Sequence, residues 1–180
     1  YLGRARIHLE RTDTAAALAD IDKALSINRN ALNAYILRAD IAINSHKDFE
    51  AAEKDIDTAI KLRPHTPGLY INRAFLRYNQ DNYKGAMADY DYALSLDPLN
   101  ATALFNRGLL LTEVSANDLA LEDFNRVLRL DPEDYRALYN RAIIHEAKGN
   151  LSAAIDDISK VHDRFPDFPG ALYLRSRLHR

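Results

Sequence analysis

The sequence predicts an all-α solenoid built from antiparallel helix pairs. Three observations lead to this fold class: an arginine that returns at nearly constant intervals, small residues at fixed offsets from it, and a proline near the end of most repeats. A fixed period in this range is typical of a stacked array in which each repeat contacts only its neighbours. The arginine recurs at intervals of 34, 35, 34, 34 and 34 residues, as Arg4, Arg38, Arg73, Arg107, Arg141 and Arg175.

The offsets within each repeat are helical. Ala86, Tyr90 and Ala93 are four and three residues apart, so they share one helix face, and this small, large, small pattern recurs along the chain. Pro98 follows this helix and ends it, because proline cannot continue a helix. Asp13 is typical of the polar caps that open the second helices. Each repeat is therefore helix, turn, helix, turn, and the predicted helices cover residues 1–11, 14–28, 31–45, 49–62, 67–80, 83–96, 101–114, 117–130, 135–148, 151–165 and 169–179.

One interval of 35 residues indicates an extra residue in the second repeat. Comparison with the other repeats places it near His46–Asp48. We expect it in the turn between the two helices of that repeat, because turns tolerate insertions better than helices.

The repeat resembles the tetratricopeptide repeat, a helical hairpin of about 34 residues. The segment from Tyr83 to Pro98 matches that pattern closely, and about five and a half repeats cover the whole chain. The resemblance implies a right-handed superhelical solenoid over residues 1–180, and we expect it to be a fragment of a longer repeat protein. An arginine stands where leucine is commonest in the family. The Asn-Arg-Gly/Ala subtype is indicated by Asn72-Arg73-Ala74, Asn106-Arg107-Gly108 and Asn140-Arg141-Ala142.

An aspartate recurs just before the large apolar residue of each second helix. An arginine at a packing position needs a partner, because an unpaired buried charge is costly. Since each aspartate precedes the next arginine by 18 residues, we expect it to pair with the arginine of the following repeat, and pairing within one repeat is the alternative. This ladder is expected to be structural, although the arginines could instead bind an acidic ligand. The aspartates are Asp20, Asp55, Asp89, Asp123 and Asp157.

The composition argues against several function classes. The 180 residues include no cysteine, and the net charge of −2 provides no basic field for nucleic acid or anionic lipid. No apolar run is long enough to span a membrane. The six histidines lack metal-ligand spacing, although His8, His145 and His179 share one repeat position, and no glycine-rich phosphate loop or nucleophile elbow is visible. We expect no enzyme, no cofactor, no metal, no nucleic-acid partner and no membrane insertion.

The resemblance also implies that the first helix of each repeat lines a concave groove. The lysines with which co-chaperone members clamp a terminal carboxylate are absent, and Arg6, Arg136 and Arg177 are scattered. The asparagines that precede the recurring arginine look like the ladder with which sugar-transferase solenoids hold a peptide backbone. Packing between first helices is the alternative role for all these residues. The candidate peptide-binding residues are Asn72, Asn106, Asn140, Ile36, Ile71, Phe75, Phe105, Tyr139 and Tyr173.

Three function hypotheses follow from these observations. The first is a scaffold that binds an extended peptide or protein segment in the groove. The second is a structural spacer that associates end to end through apolar terminal helices. The third, a helical-repeat nucleic-acid binder, requires a basic inner face that the neutral composition does not supply. The sequence leaves the partner and the compartment open.

Overall fold

The computed structural model describes residues 1–178, except for the side chain of His46. This part of the chain contains eleven α-helices and no strand, which confirms the all-α prediction. His179, which shares a repeat position with His8 and His145, lies outside the described residues. The helices are α1 (Leu2–Glu10), α2 (Thr14–Ile27), α3 (Leu32–Ile41), α4 (Phe49–Leu62), α5 (Pro67–Asn79), α6 (Tyr83–Leu96), α7 (Ala101–Glu113), α8 (Asn117–Leu130), α9 (Tyr135–Ala147), α10 (Leu151–Arg164) and α11 (Pro169–Leu178).

The helices group into two compact units, Tyr1–Leu96 and the residues from Asp97 onward. In the first unit, α1 packs on α2, α3 on α4 and α5 on α6, and α2 and α4 also contact the first helices that follow them, α3 and α5. In the second unit, α7 packs on α8, α9 on α10 and α10 on α11. The first helices of this unit also contact one another, α7 with α9 and α9 with α11.

Small residues allow the helices of a pair to approach closely. Ala86 and Ala93 are fully buried, and Tyr90 between them is almost completely buried. In the fourth repeat, Gly108 lies against the ring of Phe124, and a β-carbon added there would lie 2.8 Å from a ring carbon. The small side chains of the repeat pattern therefore face the helix-to-helix interface, as the spacing predicts.

The extra residue of the second repeat lies in a helix, so the prediction that it lies in the turn is wrong. Helix α3 continues into a π-helical turn, Ala42–His46, which holds one more residue than an α-helical turn. The turn that follows keeps its normal conformation: Lys47 has φ 54°, close to the left-handed values of Thr12, Asp81 and Ser115 at the same position. The insertion therefore widens the end of α3 and leaves the connection to α4 unchanged.

Five of the six recurring arginines pair with the aspartate of their own repeat, so the predicted pairing with the following repeat is wrong and the alternative is confirmed. In the third repeat, Arg73 donates from Nε and Nη2 to the two carboxylate oxygens of Asp89, at 2.9 and 2.6 Å. The two residues face each other across the antiparallel pair because each is eight positions from the turn residue Asp81. The pairs are Arg4–Asp20, Arg38–Asp55, Arg73–Asp89, Arg107–Asp123 and Arg141–Asp157.

The preceding repeat contributes a different oxygen to the same guanidinium group. Nη1 of Arg38 donates to Asp22, and Nη1 of Arg73 donates to Asp57, at 2.9 and 2.7 Å. Nη1 of Arg141 donates to the amide oxygen of Asn125 at 2.6 Å. Each acceptor stands 16 residues before its arginine. One arginine thus holds the two helices of its repeat together and links them to the preceding second helix.

Arg175, the sixth predicted member of the ladder, differs from the others. It makes no ion pair with any residue between positions 1 and 178, and the aspartate position 16 residues later would lie past residue 180. Arg175 therefore shares the repeat position of the other five arginines but not their ion pair.

Candidate functional site

The first-helix face comprises the residues that lie two positions before, directly before and two positions after the recurring arginine. In the first unit it includes Ile36 on α3 and Ile71, Asn72 and Phe75 on α5. Phe75 is 43% exposed, whereas Ile71 is only 7% exposed and offers little surface to a ligand. Phe75 therefore forms more of the accessible apolar surface of α5 than Ile71, which the sequence grouped with it.

In the second unit, the first-helix face carries a series of aromatic side chains. Phe105 on α7 contacts Phe124 of its own repeat, with ring centroids 5.8 Å apart. Tyr139 on α9 packs edge-on against Phe168, at 5.2 Å between centroids. Tyr173 on α11 is 66% exposed. Because α7 contacts α9 and α9 contacts α11, these three side chains lie on neighbouring helices.

The three asparagines do not bridge helices by hydrogen bonds. The side-chain amides of Asn72 and Asn106 make no hydrogen bond with any residue of the described range. The amide nitrogen of Asn140 donates to the backbone oxygen of Arg136 in its own helix at 2.8 Å. All three side chains are half-buried, so polar groups remain at the surface of the face.

Arginines of the second unit lie beside the aromatic rings. The guanidinium carbon of Arg136 lies 4.8 Å from the ring centroid of Phe105, and that of Arg177 lies 5.6 Å from the ring centroid of Tyr173. Each also has an acidic partner, since Arg136 pairs with Asp134 at 2.7 Å and Arg177 pairs with Glu146 at 2.8 Å. These charges are therefore largely neutralised within the protein.

Two carboxylates near this face have shifted pKa values. Burial raises the pKa of Asp134, but its hydrogen bonds with Arg136 and with the backbone amide of Ala137 outweigh burial and lower the pKa below its usual value. Burial alone raises the pKa of Asp40 on α3. Asp40 stands at the position of α3 that Phe75 occupies on α5, so the face is more acidic in the second repeat than in the third.

Metal-ligand clusters and membrane-spanning helices are both absent from the described part of the chain. No group of three or more histidine, cysteine, aspartate or glutamate side chains within residues 1–178 could hold a metal ion. None of the helices described there combines the length and apolar character needed to cross a bilayer. The face therefore offers aromatic surface, amides and paired charges.

Two family models match the chain, both of the tetratricopeptide repeat. The first matches residues 40–110 and the second residues 114–169. The chain belongs to the tetratricopeptide repeat family. No curated protein matches the chain significantly.

Solved structures of tetratricopeptide repeat proteins share the fold. YrrB, described as a TPR protein with an unusual peptide-binding site, has a TM-score of 0.78 and 24% identity, covering 98% of this chain and 90% of that one. PilW, described as a widely conserved type IV pilus biogenesis factor, has a TM-score of 0.83 and 23% identity, covering 98% and 82%. PilF of Pseudomonas aeruginosa has a TM-score of 0.86 and 20% identity, covering 99% and 81%.

The sequence reasoning missed part of the aromatic surface of this tetratricopeptide array. Phe168 contacts Tyr139, and Tyr135 contacts both Phe168 and Phe165, with centroids 6.3 and 4.7 Å apart. A signal was present, because Phe168 stands where the equivalent residues Asn100 and Asp134 cap the preceding first helices. A large apolar side chain at a position that is polar in the preceding repeats was therefore the sequence signal for this aromatic surface.

Proposed function

We propose that this tetratricopeptide array is a protein-interaction scaffold whose first-helix face binds an extended peptide or protein segment. The observation that carries the proposal is the combination of exposed aromatic rings with side-chain amides, those of Asn72 and Asn106, that make no hydrogen bond with any residue in the described range. On α5, Phe75 provides apolar surface three positions from the amide of Asn72; on α7, Asn106 lies next to the ring of Phe105 in the sequence, and Tyr173 exposes a further ring on α11. Exposed apolar strips of this kind typically mark binding sites.

The amides match the chemistry of a peptide backbone. A side-chain amide carries both a donor and an acceptor, so it can form two hydrogen bonds with a peptide unit whatever side chain the ligand carries. Neighbouring helices pack about 8–10 Å apart, and an extended chain rises about 3.3 Å per residue. Asn106 on α7 and Asn140 on α9 would thus meet the ligand roughly every third residue. The backbone bonds would supply affinity, and Phe105 and Tyr139 would supply selectivity.

The aromatic positions suit a ligand that is held without a charge clamp. Arg136 and Arg177 are already paired with acidic residues, so a ligand carboxylate would have to compete for them. The peptide-binding site described for YrrB, which shares this fold, adds support for peptide recognition by such an array.

A library of short unstructured peptides tests the proposal. The wild-type chain is expected to retain a subset of the library, and the triple variant Asn72→Ala, Asn106→Ala and Asn140→Ala is expected to lose it. Because these amides make no hydrogen bonds between helices within residues 1–178, the stability of the variant should change by less than about 0.5 kcal/mol per site. Asn30→Ala, in an exposed turn, is the matched control and should retain the peptides. Undiminished retention by the triple variant would reject the amide face as the ligand site.

A further inference from the structure

A tyrosine fills the space beneath the recurring arginine in the first unit. Tyr35 and Tyr70 each stand three residues before it. Their hydroxyl groups donate to the backbone oxygens of Arg29 and Pro64, at 2.9 and 2.8 Å, in the preceding turn. The guanidinium carbons of Arg38 and Arg73 lie 5.8 and 5.5 Å from the ring centroids of these tyrosines. The ring thus occupies a socket between a turn, an arginine and the neighbouring second helices.

The socket of Tyr70 shows which positions form its walls. The ring of Tyr70 contacts the ring of Tyr92 on α6, with centroids 4.4 Å apart. Pro64 provides the hydrogen-bond acceptor, and Arg73 covers the ring. Arg73 does this while it binds Asp89 with two nitrogens, so stacking and the ladder are compatible.

In the fifth repeat the equivalent residue is Leu138, which is buried and shorter than tyrosine, and a cleft lies beside it. This cleft has a volume of about 320 Å³. Pro132, Arg141 and Lys160 correspond in the repeat to Pro64, Arg73 and Tyr92. The volume is in the range of ligand pockets, and the lining residues are Asn125, Leu128, Arg129, Pro132, Leu138, Arg141 and Lys160.

The fourth repeat also has a leucine at this position, Leu104, but there a cation reaches the turn. Nη2 of Arg126 donates to the backbone oxygen of Pro98, the acceptor that corresponds to those of Arg29 and Pro64. Lys160 is the equivalent of Arg126 in the next repeat. The backbone oxygen of Pro132 accepts no hydrogen bond from any residue in the described range. An acceptor is therefore available at the end of the open cleft.

The charged side chains that line the 320 Å³ cleft itself are all cationic. Asn125 stands where the first unit has Asp22 and Asp57, so one carboxylate of the ladder is missing here. Arg129 and Lys160 are exposed, and no acidic side chain lines this part of the cleft. A larger opening of about 610 Å³ shares Pro132, Leu138 and Lys160 with it and extends past Tyr135. The site can thus admit a side chain together with part of a peptide. Glu133, which pairs with Arg164, and Asp163 line this outer part, so the positive charge is confined to the smaller cleft.

We propose that the cleft between α8, α9 and α10 binds a tyrosyl side chain of a partner protein, flanked by an acidic residue. The ring would lie beneath the guanidinium group of Arg141, and the phenol hydroxyl would donate to the backbone oxygen of Pro132. Both interactions are those that Tyr35 and Tyr70 make inside the chain. Lys160 and Arg129 favour the acidic neighbour by charge complementarity. None of the residues that line the 320 Å³ cleft belongs to the first-helix face.

Binding is measured with N-acetyl-tyrosinamide and N-acetyl-leucinamide as probes, by NMR of the isotope-labelled chain. The tyrosine probe should cause saturable shifts at Leu128, Leu138 and Lys160, and the leucine probe should bind about tenfold more weakly. The variant Leu138→Tyr fills the socket with the residue that the first unit uses and should abolish these shifts. Leu119→Tyr adds the same side chain at an exposed position of α8 and should leave them unchanged.

A second variant tests the proposal even if Leu138→Tyr fails to fold. Lys160 is exposed, so Lys160→Glu should fold normally. It should reverse the preference of the wild type for N-acetyl-aspartyl-tyrosinamide over N-acetyl-lysyl-tyrosinamide. Absence of saturable shifts, equal binding of the two single-residue probes, or an unchanged charge preference would each overturn the proposal. Shifts that arise from protein concentration alone would also overturn it, because the occupant would then be a second copy of the chain.

Discussion

At the scale of single residues, the recurring arginine acts as a three-way connector. Arg141 holds both carboxylate oxygens of Asp157, at 2.7 and 2.6 Å, and reaches Asn125 of the preceding repeat. Asp157 is buried. Removing one partner of a buried ion pair leaves an uncompensated charge. This costs more stability than replacing both partners by apolar residues.

Removal of the arginine should therefore be strongly destabilising. Arg141→Met is expected to lower the free energy of unfolding by about 3–5 kcal/mol, because Asp157 stays buried without its partner. The double variant Arg141→Met and Asp157→Leu should recover most of this loss. Urea denaturation measures both. Arg164→Ala, which removes the exposed pair with Glu133, serves as the control and should cost at most about 1 kcal/mol. A loss equally small for Arg141→Met would contradict the connector role.

His145 makes stability depend on pH. Its Nδ1 is buried without a hydrogen-bond partner among the described residues. Burial lowers the pKa of His145 below its ordinary value of 6.5, and nearby Arg141 and Lys148 lower it further, whereas Asp157 opposes the shift. The folded state therefore binds a proton less readily than the unfolded state. The contribution of neutral His145 to the free energy of unfolding is fully present above pH 6.5 and is lost as pH falls through the folded pKa.

His145→Gln should flatten this dependence. The measurement is the free energy of unfolding of the wild type and the variant across the acidic range from about pH 7.5 downward. His65→Gln, at an exposed turn position, is the control and should keep the slope of the wild type. If the slope survives in His145→Gln, another group is responsible for it.

At the scale of elements, each turn inside a repeat has one residue with a left-handed backbone conformation. Only Gly149 is a glycine, and its φ is 76°. Ser115 has φ 61° at the equivalent position. Residues with a β-carbon are strained in this conformation, whereas glycine adopts it readily.

Exchange of residues at these two turns should have opposite effects. Ser115→Gly is expected to raise the free energy of unfolding by about 0.5–1 kcal/mol, the relief of strain less the greater chain entropy of glycine. Gly149→Ala should lower it by about 1 kcal/mol. A β-carbon at Gly149 meets no atom within 4 Å, so that loss would come from the backbone alone. Thermal unfolding measures both changes, and the same sign for the two would contradict the explanation.

The approach of α7 to α8 depends on the absence of a side chain at Gly108. Gly108→Ala should destabilise the chain by about 1–3 kcal/mol through overpacking against Phe124. Gly3→Ala is the control, because a β-carbon there meets nothing within 4 Å. Calorimetry compares the two variants. A stabilised Gly108→Ala would mean that the ring of Phe124 moves aside at little cost.

The sequence predicted helices more reliably than the contacts between them. The helix boundaries follow from periodicity, proline and capping residues such as Asp13, which accepts from the backbone of Ala16. The sequence did not predict which arginine each aspartate binds. Asp55, for example, lies 17 residues after Arg38 and 18 residues before Arg73, so the spacing alone does not distinguish the two. The π-helical turn was also missed, since a period of 35 residues places an insertion without specifying its backbone conformation.

At the scale of the whole molecule, one repeat pattern carries different surfaces in its two compact units. Tyrosines fill the sockets beneath Arg38 and Arg73 in the first unit, whereas the second unit has a cleft beside the buried Leu138. The candidate face was predictable from sequence as a set of positions. The accessibility of each side chain was not, because Ile71 and Phe75 differ in exposure through their packing against neighbouring helices.

Photo-crosslinking tests the central claim, that the first-helix face binds an extended peptide, most directly. A photoreactive phenylalanine analogue is placed at Phe75 or Tyr173, and for comparison at Leu119 or Leu151 on second helices, whose exposures of 53% and 50% lie between those of Phe75 and Tyr173. A peptide retained from the library is added, and crosslinked products are identified by mass spectrometry. Crosslinks are expected at Phe75 and Tyr173. Crosslinks at Leu119 and Leu151, with none at the first-helix positions, would contradict the proposed binding face.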